Sequence, residues 1–316
     1  MSGWIIMLIG IAIIAGLLGL TTAMIWIERR GLAWFQDRLG PNRVGPAGLL
    51  QPVADVIKLF MKEDWIPPFA DKFVFIFAPM IVAITVLFAF AVVPFTEQIK
   101  VSDANVGLLF FLGMTSLSVY SIALSGWASN SKYSLIGGLR GAAQMISYEI
   151  PLAVSLVGVV MLAGSFRLID IVNAQSSLWF IVIQPLGFII FLIAGFAEAR
   201  RTPFDLPEAD SEIVAGYHTE YSSMKFALFF MGEYLDLILI SVMTTVLFLG
   251  GWHGPILPPI IWFLIKTFAL IFLFIWVRAV LPRYRFDQLM GFGWKALLPL
   301  SLLNVLVTGA IALVHS

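Results

Sequence analysis

Eight apolar runs divide this chain, each about as long as the hydrocarbon core of a bilayer is thick. They lie at about 4–27, 73–95, 106–127, 140–163, 178–197, 226–250, 259–279 and 295–314. A helix needs roughly 20 consecutive apolar residues to cross that core. Lipid offers no partners for free N–H and C=O groups, so each run must be helical or line a cavity. With 60% hydrophobic and only 12% charged residues, the chain has too few polar groups to cover a globule's surface. The expected fold class is therefore an all-α integral membrane protein, with eight transmembrane helices in a single membrane domain spanning 1–316. A soluble enzyme, a DNA-binding module and a disordered tail are excluded.

The charges sort by loop. Lys and Arg cluster in the segments 28–72, 128–139, 198–225 and 280–294, together with their immediate borders. These segments hold Arg29, Arg30, Arg38, Arg43, Arg140, Arg200 and Arg201, and later Arg278, Arg283 and Arg285. The opposite loops hold only Lys100 and Arg167, and Lys266 falls inside a run. The positive-inside rule then puts the four basic loops in the cytoplasm and both termini in the periplasm. Met1-Ser2-Gly3 leads directly into the first apolar run without a basic n-region, which reads as a retained helix rather than a signal peptide. Within the first basic loop, Leu49, Leu50, Val53, Val56, Ile57, Phe60 and Met61 recur at helical spacing around Asp55, Lys58 and Lys62. This predicts an amphipathic helix at the membrane interface over 48–62, too short to cross. The chain has no cysteine, which excludes disulfides and thiolate-held iron–sulfur clusters, and its zero net charge gives no electrostatic footprint for nucleic acid. The three histidines, His218, His253 and His315, are too scattered in sequence to suggest a metal site. The aromatics, 27 Phe and 10 Trp, read as membrane fill and interface belts.

Three acids fall within expected spans: Glu149, Glu233 and Asp236. Glu149 lies about nine residues into its span, roughly 14 Å along the axis and near mid-bilayer. An ionisable group there is costly and is a functional-site hypothesis by default. Each of these acids either titrates or is matched by a cation or a hydrogen bond across helices. The segment from Glu198 to Asp236 adds Asp205, Glu208, Asp210, Glu212 and Glu220, eight acids in all, against Arg200, Arg201 and Lys225. A relay of carboxyls from loop to mid-membrane and a solvated acidic loop both fit this run.

Two motifs then carry a resemblance. The first is Gln36-Asp37-Arg38-Leu39-Gly40-Pro41-Asn42-Arg43-Val44-Gly45-Pro46, leading into Leu49-Leu50-Gln51-Pro52-Val53-Ala54-Asp55 and Lys58-Leu59-Phe60-Met61-Lys62-Glu63-Asp64. The second is Arg201-Thr202-Pro203-Phe204-Asp205-Leu206-Pro207-Glu208-Ala209-Asp210-Ser211-Glu212, continuing through Gly216-Tyr217-His218-Thr219-Glu220-Tyr221 to Glu233-Tyr234. Together with Ser147-Tyr148-Glu149 they resemble, over essentially the whole chain, the H-type membrane subunits of bacterial NADH–quinone oxidoreductase, respiratory complex I. The resemblance implies a membrane-arm component of the bacterial inner membrane that helps to form a quinone chamber at the junction with the hydrophilic arm. It implies quinone (ubiquinone or menaquinone) as substrate, no cofactor on this chain alone, and FMN and iron–sulfur clusters in partner subunits. It assigns Arg29, Arg30, Arg38, Asp55, Lys58, Phe204 and Phe226 to the chamber, and Glu149, Glu198, Glu208, Glu212, Glu220 and Glu233 to a proton relay. The partners would be other membrane-arm subunits and the quinone-proximal hydrophilic-arm subunits. The alternatives are the equivalent component of a membrane-bound hydrogenase and a stand-alone cation/proton antiporter.

Overall fold

The computed structural model describes residues 3–208 and 210–315, and every regular element among them is helical. Among the described residues, seven helices are long and apolar enough to cross a membrane. They are α1 (Gly3–Phe35), α3 (Lys72–Ala89), α4 (Gly107–Ala128), α5 (Lys132–Ala163), α10 (Ser223–Phe248), α11 (Pro259–Val280) and the continuous run that ends in α13 (Leu298–His315). The chain is an all-α integral membrane protein. Shorter helices complete it: α2 (Gln51–Met61), α6 (Leu168–Ala174), α7 (Phe180–Ile183), α8 (Pro185–Glu198), α9 (Asp210–Ile213) and α12 (Phe286–Phe292). A π-helical turn, Gly293–Leu297, fuses α12 to α13.

The expected span at 178–197 is the one that departs from a simple crossing helix. It is broken into α7 and α8 at Gln184, which sits at φ −128° and ψ 60°. Pro185 is the cause: it has no N–H to donate and disfavours helical geometry in the residue before it. Helices occupy the other expected spans, with some ends longer and some shorter: α3 stops at Ala89 and α10 at Phe248. α1 continues eight residues past 27, to Phe35, and α5 begins at Lys132 rather than 140, so both reach well beyond the apolar runs.

α10 is the axis of the bundle. Every residue from Gly232 to Phe248 is buried, sheathed by α1, α3, α8 and α11. A helix with apolar residues on every side belongs in such a position, and its Glu233 and Asp236 meet arginines there. The amphipathic helix expected over 48–62 is α2. It leaves Val53, Ile57 and Phe60 exposed and is tied down through its other groups. Asp55 pairs with Arg29 of α1 at 2.6 Å, and the Leu59 carbonyl accepts from Ser223 Oγ of α10 at 2.9 Å. Just beyond it, Asp64 pairs with Lys225 at 2.5 Å.

The connection between α8 and α10 does not lie loosely on the surface. Gln144 of α5 reaches it with one amide nitrogen, which donates to the carbonyls of Ala197 at 2.9 Å and Phe204 at 2.7 Å. Gly216, at φ +58°, lets the chain turn back beneath the Pro207 carbonyl, where a Cβ would meet that oxygen at 1.7 Å. Gly137 of α5 brings the helix against the same turn, since a Cβ there would lie 2.6 Å from Gly216 Cα. Gly137→Val is therefore expected to push the connection off α5 and to destabilise the protein by about 1–3 kcal/mol. Gly113→Val, whose Cβ would meet nothing within 4 Å, is the control. Thermal denaturation of the detergent-solubilised protein should show a lower midpoint for the first variant and an unchanged one for the second.

Candidate functional site

The connection from α8 to α10 carries two arginines into the interior, side by side. Arg200, at φ +53°, is 1% exposed and Arg201 is 3% exposed. The left-handed conformation of Arg200 and the bonds from Arg201 N to the Phe196 carbonyl (3.2 Å) and from Phe204 N to the Arg201 carbonyl (2.8 Å) fold the chain back here. The two side chains then serve different helices. Arg201 donates to both carboxylate oxygens of Glu28 on α1, at 3.1 and 3.3 Å, and its Nε lies 3.2 Å from Glu233 on α10. The same guanidinium stacks over the Tyr234 ring, 4.5 Å from its centroid. Arg200 donates to Asp236 at 3.0 Å and to the Tyr217 hydroxyl at 3.3 Å, and that hydroxyl in turn donates to Glu208 at 2.8 Å.

Two further arginines arrive from the far end of α11. Arg278 pairs with Glu28, and Arg283 donates to Asp205 at 2.7 Å. Together these groups enclose a polar cavity of about 190 Å³ lined by Asp205, Glu208, Tyr217, His218, Phe226, Phe229, Phe230, Glu233, Arg278 and Arg283. Six carboxyls (Glu28, Glu198, Asp205, Glu208, Glu233 and Asp236) stand in or next to this assembly, against four guanidiniums. Burial, and then the charge of Glu208, push the Asp205 carboxyl up to about 6 despite Arg283. Burial would pull Arg200 and Arg201 down, but the surrounding carboxylates and tyrosines hold both above the ordinary arginine value. Burial and Glu208 raise Tyr217, which stays a neutral donor.

The residues assigned from sequence divide into several places. Glu208, Glu233 and Phe226 share the polar cavity. Glu198, 3% exposed at the end of α8, has neither carboxylate oxygen hydrogen-bonded among the described residues and lies within electrostatic reach of Asp236 and Glu149. Glu149 is half-buried on α5 and accepts from Ser116 of α4. Glu212 faces outward and pairs with Arg140 at 2.6 Å. Glu208 precedes α9 and Glu212 lies within it, so the two are not stacked on one helix face. Glu220 is half-buried beyond the turn at Gly216–His218.

Of the chamber set, Arg29 and Asp55 pair with each other, and Lys58 is exposed on α2. Arg30 and Arg38 line a different pocket of about 520 Å³ with Trp26, Trp34 and Leu39. Phe204 faces an apolar groove of about 560 Å³ bounded by α8, α11 and α12. Sequence alone assigns no site role to Glu28, Arg200, Arg201, Asp205, Tyr217, Arg278 or Arg283. Their common signal is present in it: a buried acid must be matched. The matching cations, however, lie 173 and 250 residues from Glu28.

The whole arrangement now meets its relatives. The family model for NADH dehydrogenase matches residues 7–309. An H-type subunit of NADH-quinone oxidoreductase from Geobacter metallireducens, the first of that name, is 57% identical over 307 residues, covering 94% of this chain and 93% of the relative. The H-type subunit of the same enzyme in Methylococcus capsulatus is 58% identical over 291 residues, covering 92% of each chain. A second such H-type subunit, from Syntrophobacter fumaroxidans, is 52% identical over 319 residues, covering 98% of this chain and 96% of the relative. The chain belongs to the NADH dehydrogenase family, among the H-type subunits of NADH-quinone oxidoreductase.

Two outcomes follow for this H-type subunit. Arg201→Met strands Glu233 in a buried place and leaves Glu28 with Arg278 alone, so it should cost about 3–5 kcal/mol. Adding Glu233→Gln should restore part of that loss. Melting of the solubilised protein reads both, and an unchanged midpoint in Arg201→Met would show the arginine to be solvated. Asp205 has a reference value of 3.8 and titrates at about 6 in the fold, so between those values the native protein holds a proton that the unfolded chain releases. Its contribution is complete below the lower value and is lost as pH rises through the higher one. An infrared band for the neutral carboxyl, absent in Asp205→Asn, should disappear near pH 6. In Arg283→Gln, where the opposing cation is gone, it should disappear at higher pH.

Proposed function

We propose that this chain is the membrane component through which NADH–quinone oxidoreductase couples quinone reduction to proton translocation. In this reading the polar cavity and its arginine-bound carboxyls receive the change of charge and pass it into the membrane plane. Electrons come from an iron–sulfur cluster of a partner subunit, downstream of FMN and NADH. The basic loops face the cytoplasm and the termini face the periplasm of a bacterial inner membrane, with α7 and α8 together making the eighth crossing.

One observation carries the reading. A second, apolar crevice of about 180 Å³ lies between α1, α2 and α10, lined by Leu18, Thr21, Ile25, Val56, Leu59 and Met231 among others, and it shares Phe230 with the polar cavity. Tyr234, under the Arg201 guanidinium, also lines it. A route from lipid to the carboxyls along these helices suits a molecule with an apolar tail and a polar head. A quinone has that chemistry, and its reduction takes up two electrons and two protons.

The magnitudes fit coupling. One unit charge about 10 Å away changes an ionisation free energy by about 1.7 kcal/mol at an effective dielectric of about 20. That is rather more than one pKa unit. A carboxyl poised like Asp205 can change its proton occupancy under such a field. Glu208, Glu233 and then Glu198 and Glu149 form the path by which that change leaves the cavity. The observed pairing of Arg29 with Asp55 supports a role for these two in holding α2, the floor of the apolar crevice, against α1.

The test uses the assembled enzyme. Glu149→Gln and Glu233→Gln are expected to lower quinone-linked proton pumping, with quinone reductase turnover falling roughly tenfold or more in Glu233→Gln. Reduction of a water-soluble acceptor by NADH should be kept in both. Normal pumping stoichiometry with normal turnover in both variants would end the relay reading, whereas loss of both activities would mark failed assembly.

A further inference from the structure

The break between α7 and α8 places a glutamine where lipid-spanning helices rarely leave one. Gln184 is 2% exposed, and across from it on α13 Asn304 is 4% exposed. Part of their hydrogen-bonding capacity is met. Gln184 Nε2 donates to Thr308 Oγ1 at 2.9 Å, and the Thr308 hydroxyl donates to the Asn304 carbonyl at 2.7 Å. Two atoms are left over. Gln184 Oε1 and Asn304 Nδ2 have no hydrogen-bond partner among the described residues, although both are fully enclosed. They flank one point: a Cβ built on Gly187, in the first turn of α8, would lie 3.2 Å from Oε1 and 3.0 Å from Nδ2.

The chemistry of these two atoms selects the occupant. A cation is repelled by the Nδ2–H donor and an anion by the Oε1 lone pairs. An apolar group satisfies neither, and each unmet polar atom in an apolar interior is costly. Exchanging oxygen and nitrogen on both amides again leaves one donor and one acceptor, so the need is the same in either orientation. What is needed is one small molecule that accepts from Nδ2 and donates to Oε1. We propose that Gln184, Asn304 and Gly187 form a binding site for a single internal water that joins the α7–α8 junction to α13. Gly187, having no side chain, leaves both amide atoms uncovered on its side, and the two amides supply the recognition. The water positions α8, whose other end carries Glu198 and leads directly into Arg200 and Arg201. The site stands on observations separate from the quinone reading and survives if that reading fails.

A cryo-EM map of the assembled complex, at a resolution that shows ordered waters, tests the site. It should contain a peak within about 3 Å of both Gln184 Oε1 and Asn304 Nδ2. Gly187→Ala, whose methyl would lie 3.0 Å from Asn304 Nδ2 and 3.2 Å from Gln184 Oε1 and cover both, should remove the peak. Gln184→Leu leaves Nδ2 unmatched and should lower the melting midpoint by about 3–6 °C. Gln184→Leu with Asn304→Leu should regain at least half of that loss. A map in which the two amides pair directly, or a Gly187→Ala protein that keeps both the peak and the midpoint, would overturn the proposal. Because the map of the unaltered protein is decisive, the test holds even if a variant fails to assemble.

Discussion

Arg201 is bound by two carboxylates from distant parts of the chain, Glu28 on α1 and Glu233 on α10, and it is almost wholly buried. Each of the three ions has given up its hydration, and only their mutual geometry compensates. The rest of the site is arranged around this fact. Little of α1 is buried within the chain, and Glu28 is one of the groups that tie its C-terminal half to the bundle. The connection after α8 folds back because its two arginines have partners inside. Tyr234 stacks against one face of the guanidinium, whose edges the carboxylates take.

The same constraint explains what can and cannot be read from the sequence. Hydropathy reports on the solvent around a segment, and seven of the long helices are legible from it at once. α2 is legible because its apolar and charged residues alternate at helical period. The break at Gln184 is not, since one glutamine and one proline hardly alter the mean of a 20-residue window. The acids of the loop are legible as acids, and the resemblance names Glu208 and Glu233 among them. Their pairing is hidden, because ion pairs carry no periodicity and the partners of Glu28 lie on segments far along the chain. In the sequence Arg278 and Arg283 register only as cytoplasmic charge, whereas both turn back toward buried carboxylates.

The separation of Phe204 from Asp205 shows how finely the wall between compartments is drawn. Adjacent residues face different spaces: the phenyl ring lines the apolar groove beside α8 and α11, and the carboxyl lines the polar cavity. Val277 and Arg278 repeat the division on α11, and Tyr284 and Arg283 repeat it just beyond. A single layer of chain thus keeps a lipid-like space from a charged one. Gln144 holds that layer from behind through its two bonds to Ala197 and Phe204. A wall of this kind preserves the low dielectric on which any long-range electrostatic effect depends.

The count of charges in the assembly matters more than any one pair. Were each carboxyl matched by its own guanidinium, every acid would stay ionised through a change of field, and the cluster would be inert. Were there no arginines, burial would hold every acid neutral, and it would be equally inert. Six carboxyls sharing four guanidiniums lie between these limits, since with every acid ionised the assembly would carry two negative charges without a cation of their own. Asp205 displays the consequence: it has an arginine at 2.7 Å and still titrates near 6, because Glu208 and burial oppose that arginine. A proton held on so narrow a margin can be moved by a charge that comes and goes nearby. That property belongs to the set, since removing either an acid or an arginine shifts the balance for all the others.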